Sequence, residues 1–349
     1  MVIIRADGNE NIGAGHIMRC ISIADAIRNI GGDVIFVLAG VSFETMLREK
    51  GFDVFVLHTD YSNMESECDS MLSLIKQYHA DKCIVDSYYV TDSYFRTLRS
   101  ATRIVYVDDL MDHAHPVDML INYNIYAERE KYESLYREAG IRAPEFLLGC
   151  EYTPLRCEFL NPVPKEAQSA SPGRRSVLIS SGGADTEHME LQLMERILRN
   201  KDRFEMMDFH FVVGAMNRDW PVLREMSEDS SNIMLHRNVT NMKELMCRCD
   251  IAVSATGSTM YELCRCGLPI ITYVVADNQI QGAESFMRRG AAVYAGDVRR
   301  DPELSEEILR VLEELLADRA ALGRMTEFGK NLVDGQGAMR IASKLTASD

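Results

Sequence analysis

The feature that most constrains this chain is a rhythm. Short, β-branched apolar runs alternate with amphipathic stretches, and they do so in two separate series. Val2–Arg5 reads as a strand, followed by a helix over about 16–30. Strands at 33–38, 54–57, 82–86 and 104–107 alternate with helices near 42–50, 64–79 and 91–99, and 119–121 adds a short strand. Such alternation predicts a parallel, doubly wound sheet. Residues 161–176 carry three prolines and almost nothing to bury, which marks a linker. A second series follows, with strands at 177–180, 208–213, 233–236, 250–254, 269–275 and 292–294, then consecutive helices over about 302–347. The expected division is an N-terminal Rossmann-like domain over 1–160, the linker, a second Rossmann-like domain over 177–330 and a C-terminal helix over 331–349. Two such sheets would face a cleft at their carboxyl edges, where α/β proteins bind ligands.

Charge narrows the ligand. Lys and Arg number 38 against 53 Asp and Glu, so the formal charge is 38 − 53 = −15. A nucleic-acid partner, which needs a basic face, is disfavoured. A small anion is still admissible, because helix N-termini bind phosphate without a basic chain. No apolar run is long enough to span a bilayer, and the N-terminus shows no signal-peptide pattern, so the chain is expected to be cytoplasmic. Nine scattered cysteines suggest reduced thiols. Cys247-Arg248-Cys249 and Cys264-Arg265-Cys266 fall in predicted helices, where positions i and i+2 do not face each other, so zinc is not expected there.

Seven strand ends carry candidate chemistry. After the first strand, glycines at 8, 13 and 15 lead to His16 at the start of a helix. A dinucleotide or phosphate loop would carry another Gly, or Lys-Ser/Thr, where this chain has histidine. The positive end of a helix favours a neutral imidazole, the form that accepts a proton. Ser254-Ala255-Thr256-Gly257-Ser258-Thr259 joins a buried strand to a helix. Its backbone N–H groups and helix dipole suit a diphosphate, and Glu262 one turn later suits the two hydroxyls of a ribose. An ordinary helix capped by Ser258 or Thr259 fits equally well. Ser181-Gly182-Gly183-Ala184-Asp185 allows close approach to phosphate or sugar, or is a plain turn, and Asn238-Val239 offers backbone to a base edge. Asp277-Asn278-Gln279 either meets sugar hydroxyl and acetamido groups, chiefly through Asn278, or caps the next helix. In the first domain Tyr88 follows Asp86-Ser87 and either reaches the cleft or packs structurally. Asp108-Asp109 with His113 and His115 resembles a metal cluster, but turn and capping roles are expected.

Taken together, these segments resemble the UDP-sugar hydrolases of pseudaminic acid biosynthesis. The resemblance rests on Arg5-Ala6-Asp7 with Gly13-Ala14-Gly15-His16-Ile17-Met18-Arg19-Cys20, and on Val85-Asp86-Ser87-Tyr88 and Tyr106-Val107-Asp108-Asp109. It extends through Leu147-Leu148-Gly149-Cys150-Glu151-Tyr152-Thr153-Pro154-Leu155-Arg156, Ser181 to Asp185, and Ser254 to Glu262. Cys150 stands where proline is expected, and Tyr89 where glycine often follows the tyrosine. The resemblance implies the GT-B architecture, with kinship to the lipid II-forming N-acetylglucosaminyltransferase. It implies hydrolysis of UDP-2,4-diacetamido-2,4,6-trideoxy-β-L-altrose by water attack with inversion, without metal or other cofactor. It places catalysis on His16, Tyr88 and Asn278. It places UDP and substrate binding on Gly15, Gly182, Gly183, Asn238, Val239, Thr256, Gly257, Ser258, Glu262 and Gln279. The expected partner is a small UDP-sugar, with no nucleic acid or membrane, and a monomer suffices. A GT-B glycosyltransferase, a hydrolysing 2-epimerase and a non-enzymatic nucleotide-sugar sensor are the alternatives.

Overall fold

The computed structural model describes residues 1–9, 12–161 and 173–346. Most of the expected linker, 162–172, therefore lies outside the described residues. Two compact units emerge: Met1–Cys157 with Gly335–Asp349, and Glu158–Asp334.

The first unit runs β1 (Val2–Ala6), α1 (Gly15–Asn29), β2 (Val34–Leu38), α2 (Glu44–Glu49), β3 (Asp53–Val56), α3 (Cys68–Gln77), β4 (Lys82–Asp86), α4 (Asp92–Arg99), β5 (Arg103–Val107), β6 (Met119–Asn122), α5 (Arg129–Ala139) and β7 (Glu145–Leu148). Its seven parallel strands lie in the order β3-β2-β1-β4-β5-β6-β7. The chain winds outward from β1, then returns to place β4 beside it. That reversal opens a crevice beyond the carboxyl ends of β1 and β4, the position at which open α/β sheets bind ligands. Ala6 and Asp86 are paired across it.

The second unit contains β8 (Arg175–Ser180), α6 (Met189–Arg199), β9 (Met207–Val213), α7 (Trp220–Ser227), β10 (Ile233–Arg237), α8 (Met242–Cys247), β11 (Ile251–Ala255), α9 (Thr259–Cys266), β12 (Ile270–Val274), α10 (Asp277–Arg288), β13 (Val293–Asp297), α11 (Leu304–Ala317) and α12 (Arg319–Leu332). Its parallel strands are ordered β10-β9-β8-β11-β12-β13, with the reversal between β8 and β11. The chain then rejoins the first unit through α13 (Gly337–Thr346).

The strands are continuous apolar runs because helices cover both faces of each sheet. Every residue of β1, β2, β11 and β12 is buried. In the first unit α1 lies between sheet and α13, which sets Ala338, Ile341, Ala342 and Leu345 inward. A Cβ on Gly337 would come within 2.2 Å of Thr153 O, so the start of α13 tolerates only glycine at that approach. No helix among the described residues is long and apolar enough to cross a membrane.

Candidate functional site

His16 enters α1 as its second residue. A tight loop delivers it: Asn9 and Gly13 exchange backbone hydrogen bonds of 3.2 and 2.8 Å, and Gly13 takes φ 75°, which glycine adopts without strain. Gly15 is exposed at the helix start, and no side chain caps that helix. One turn on, Arg19 occupies the same helix face as His16. Both side chains meet Asp86 at the end of β4.

The contacts are specific. Arg19 grips Asp86 with a fork, Nε to Oδ2 at 2.6 Å and Nη2 to Oδ1 at 2.5 Å. Its Nη1 reaches Asp109 Oδ2 at 2.6 Å and Tyr123 Oη at 3.0 Å. His16 Nδ1 lies 2.5 Å from Asp86 Oδ1. A carboxylate oxygen and an imidazole lone pair cannot share that distance without a proton between them, so Nδ1 carries the hydrogen and donates it. The 3.0 Å approach of Arg19 Nη2 to the same nitrogen is therefore a close neighbour rather than a second hydrogen bond. Nε2 of His16 accepts nothing among the described residues, and its lone pair is available. Burial alone would push the Asp86 carboxyl up. The charge of Arg19, with the hydrogen bonds from Arg19 and His16, outweighs it and holds Asp86 well below the usual carboxylate range.

Tyr88 stands edge-on to His16, ring centroids 4.7 Å apart, and its hydroxyl donates to Asp109 Oδ2 at 3.1 Å. Asn124 Nδ2 donates to the other Asp109 oxygen at 2.9 Å. Asp109 thus departs from its expected turn role and joins the network around His16. Asp108 keeps the turn role, accepting from Leu110 N at 2.9 Å and Met111 N at 3.2 Å. His113 and His115 both approach Asp92 rather than closing a turn, and these three side chains set one ligand atom each within 4.8 Å of the others.

In the second unit the two glycine turns flank the β8/β11 reversal but differ in chemistry. At α6, the buried Asp185 carboxylate already accepts from Met189 N at 3.0 Å and Glu190 N at 2.8 Å. Glu190 in turn accepts from Ser181 N at 3.0 Å and Asn217 Nδ2 at 2.8 Å. Burial, then Asp185, pushes the Glu190 carboxyl well up. That helix start is occupied by the protein's own carboxylates. Gly182 takes φ 86° with open space where a Cβ would stand, and the close packing falls on Gly214, whose Cβ would lie 2.2 Å from Gly183 O and 2.4 Å from Gly182 O.

At α9 the opposite holds. Thr256 is buried, its hydroxyl 2.8 Å from that of Thr272 and 3.1 Å from Tyr273 O. Gly257 and Ser258 beyond it are exposed. Ser258 does not cap the helix: its φ and ψ of −61° and −28° are helical, and no side chain caps α9. Met260 N and Tyr261 N bond back to Gly257 O and Ser258 O at 3.1 Å each, so the turn presents the exposed Gly257-Ser258 backbone at the anion-friendly end of the helix dipole. Glu262 is half-buried on the first turn.

The remaining candidates line the same carboxyl edge. Asn238 is exposed just after β10 in a left-handed conformation, φ 55°, with Val239 half-buried beside it. Asn278 is exposed in the first turn of α10. The expected cap by Asp277 or Asn278 is not made: Ala276 is the N-cap residue, and Asp277 is drawn to Arg299 at 2.7 Å. Gln279 Oε1 accepts from Val275 N at 2.9 Å, tying α10 to β12. The structure thus brings His16 and Tyr88 together in one unit, and the α9 turn, Glu262 and Asn278 to one sheet edge in the other. Sequence reasoning missed Arg19, Asp86 and Asp109 as a network. The i, i+3 spacing of His16 and Arg19 was the available signal.

No protein-family model matches the chain. An uncharacterised protein of Methanocaldococcus jannaschii is 25% identical over 291 residues, 80% of this chain, which spans 56% of that protein's length. The UDP-2,4-diacetamido-2,4,6-trideoxy-β-L-altropyranose hydrolase of Campylobacter jejuni is 24% identical over 297 residues, 84% of this chain and 98% of that protein. Among solved structures, MurG of Acinetobacter baumannii superposes with a TM-score of 0.66 at 12% identity, over 98% of both chains. The chain has the GT-B fold, two parallel, doubly wound sheets, as in that structure.

Proposed function

We propose that this protein hydrolyses a UDP-linked diacetamido sugar, releasing UDP and the free sugar. The reaction would be the one named for the Campylobacter jejuni relative, in pseudaminic acid biosynthesis. A nucleotide-sugar substrate is consistent with a cytoplasmic site of action. One observation carries the reading: the paired imidazole of His16, with Nδ1–H anchored on Asp86 and Nε2 unspent, at the reversal point of its sheet.

The chemistry follows from that pair. Water is the nucleophile, and His16 Nε2 accepts its proton as the oxygen attacks the anomeric carbon. The bond from that carbon to the diphosphate oxygen breaks, and UDP leaves with its electron pair. Attack opposite the leaving group inverts the anomeric centre. The imidazolium so formed is stabilised by Asp86 and later returns its proton to solvent. Tyr88, against the His16 ring, restricts that ring and contacts the sugar. The α9 turn at Thr256, Gly257 and Ser258 receives the diphosphate, with Glu262 on the ribose and Asn278 on an acetamido or hydroxyl group. A helix start with no side-chain cap supports this assignment over the Gly182-Gly183 turn, where Asp185 already holds the amides. Gly15, Asn238, Val239 and Gln279 belong to the same proposal as lining positions. The scheme assigns no step to a metal ion.

The test is His16→Asn on a panel of UDP-diacetamido sugars, with free sugar and anomer followed by NMR. Turnover should fall by about 10²–10⁴, the usual worth of a general base, while UDP affinity by calorimetry stays near wild type. UDP release persisting within twofold of wild type removes His16 from the chemistry. Release only in the presence of an acceptor alcohol identifies a transferase, a product altered at C2 an epimerase, and binding with no turnover a sensor.

A further inference from the structure

The loop between β5 and β6 carries two histidines that the reaction above does not use. His115 Nδ1 lies 3.0 Å and His113 Nε2 3.2 Å from the same oxygen, Asp92 Oδ1. All three atoms fall within 4.8 Å of one another. A tetrahedral zinc ion with bonds of about 2.0–2.1 Å separates its ligand atoms by about 3.3–3.4 Å. Two of the three edges of such a site are already close to that length.

The scaffold holds two of the ligands firmly. Asp92 opens α4, directly after Thr91, whose hydroxyl accepts from Tyr94 N at 3.1 Å and fixes the helix start. The other Asp92 oxygen, Oδ2, faces Arg96 at 3.4 Å, leaving Oδ1 toward the histidines. The His115 ring is wedged edge-on between Phe95 and Tyr106, each 5.2 Å away, and its carbonyl accepts from Tyr136 Oη at 2.7 Å. His113 is exposed and can rotate to close the third edge.

We propose that Asp92, His113 and His115 form a binding site for a divalent first-row cation of the zinc type, with water in the fourth position. Two imidazoles and one carboxylate are a donor set suited to zinc. On binding, each imidazole would offer a lone pair to the ion from His113 Nε2 and His115 Nδ1 and carry its proton on the other ring nitrogen, any further proton passing to solvent. The site would clamp the β5–β6 loop to the start of α4. That loop begins at Asp108 and Asp109, so the clamp steadies the carboxylate that holds Arg19 and Tyr88.

The experiment uses full-length, tag-free protein stripped with chelator, titrated with ZnCl2 by calorimetry and with CoCl2 by visible absorption. One saturable equivalent is expected, with a rise in melting temperature and the d–d bands of nitrogen and oxygen ligation. His113→Ala, an exposed position, should leave the metal-free melting temperature unchanged. It should weaken that equivalent by about tenfold or more and abolish the rise. Asp92→Asn should do the same to binding. Absence of a saturable equivalent, undiminished binding in both variants, or thiolate-to-cobalt charge-transfer bands growing with the bound equivalent each overturn the proposal, the last by assigning the ion to cysteines.

Discussion

Asp86→Asn tests the network around His16 most directly. Arg19 is 6% exposed, and its guanidinium is neutralised by Asp86 on one side and Asp109 on the other. Breaking a buried ion pair by removing one partner costs about 3–5 kcal/mol, because the remaining charge stays desolvated. Asp109 still faces Arg19, so the lower end applies, about 3 kcal/mol, or a factor of about 160 in the folding equilibrium. In a unit of this size that corresponds to a fall of roughly 6–12 °C in melting temperature. The pH dependence carries the sign. Asp86 is held below its unfolded value, so its stabilisation is complete above the unfolded carboxylate pKa of about 3.9 and is lost as pH falls through the lower folded value. The gap between wild type and variant in urea melts should therefore be level from about pH 7 to pH 5 and narrow only below about pH 4. Turnover should fall as well, by up to about 10²–10⁴, because Nδ1–H loses the charged carboxylate that fixes the tautomer, and an amide NH2 can compete for that position. Equal stability at neutral pH, or a gap that does not narrow in acid, refutes Asp86 as the paired charge.

Two further outcomes follow from individual contacts. Tyr88→Phe removes the hydroxyl that donates to Asp109 at 3.1 Å, and should cost about 0.5–1.5 kcal/mol of stability, read by urea melts, while lowering turnover less than His16→Asn does. Gly214→Ala drives a Cβ to within 2.2 and 2.4 Å of two carbonyl oxygens that cannot swing aside. It should destabilise the second unit by about 1–3 kcal/mol or more, whereas the control Gly257→Ala, with nothing within 4 Å, should melt like wild type.

Much of the architecture is legible in the sequence because parallel strands buried on both faces read as unbroken apolar runs. Ile3-Ile4 and Ile270-Ile271 are examples. The reading fails where burial is thin. In α5 only Tyr132 and Tyr136 are buried, so Arg129–Ala139 goes unassigned from sequence, as does β7, four residues at a sheet edge. The helix expected from residue 64 begins as a 3₁₀ turn over Met64–Glu67, with the α-helix starting at Cys68. Site residues divide in the same way. His16 stands out because its position at a strand–helix junction is local. Asp86, Arg19 and Asp109 act through pairings 67 and 90 residues apart, which no window on the sequence reveals. The expected cap at Asp277 fails for a similar reason: Arg299, 22 residues on, competes for the carboxylate.

The first unit contains a second buried arginine, and comparing the two shows why only one cluster is a candidate for chemistry. Arg5 lies within β1 and is fully buried. Its Nε and Nη2 take both oxygens of Glu67 at 2.7 and 2.8 Å, and Nη1 takes Asp7. Glu67 also accepts from Tyr94 Oη at 2.8 Å, and Asp7 from Ala39 N at 2.8 Å. Every partner named in that cluster is another fixed group of the protein. The cluster welds β1 to the loops around it. Around Arg19 the same fork on a carboxylate recurs, but an imidazole sits on its rim. Asp86 spends one oxygen on both Arg19 and His16, and that orients the ring without consuming it. In the proposed reaction the proton taken up at Nε2 meets, through the ring, a carboxylate that Arg19 already holds in its charged form. The arginine that stabilises the fold also keeps Asp86 charged for His16. Structure and proposed catalysis share one ion pair, and the distinguishing atom is His16 Nε2, which takes no partner among the described residues.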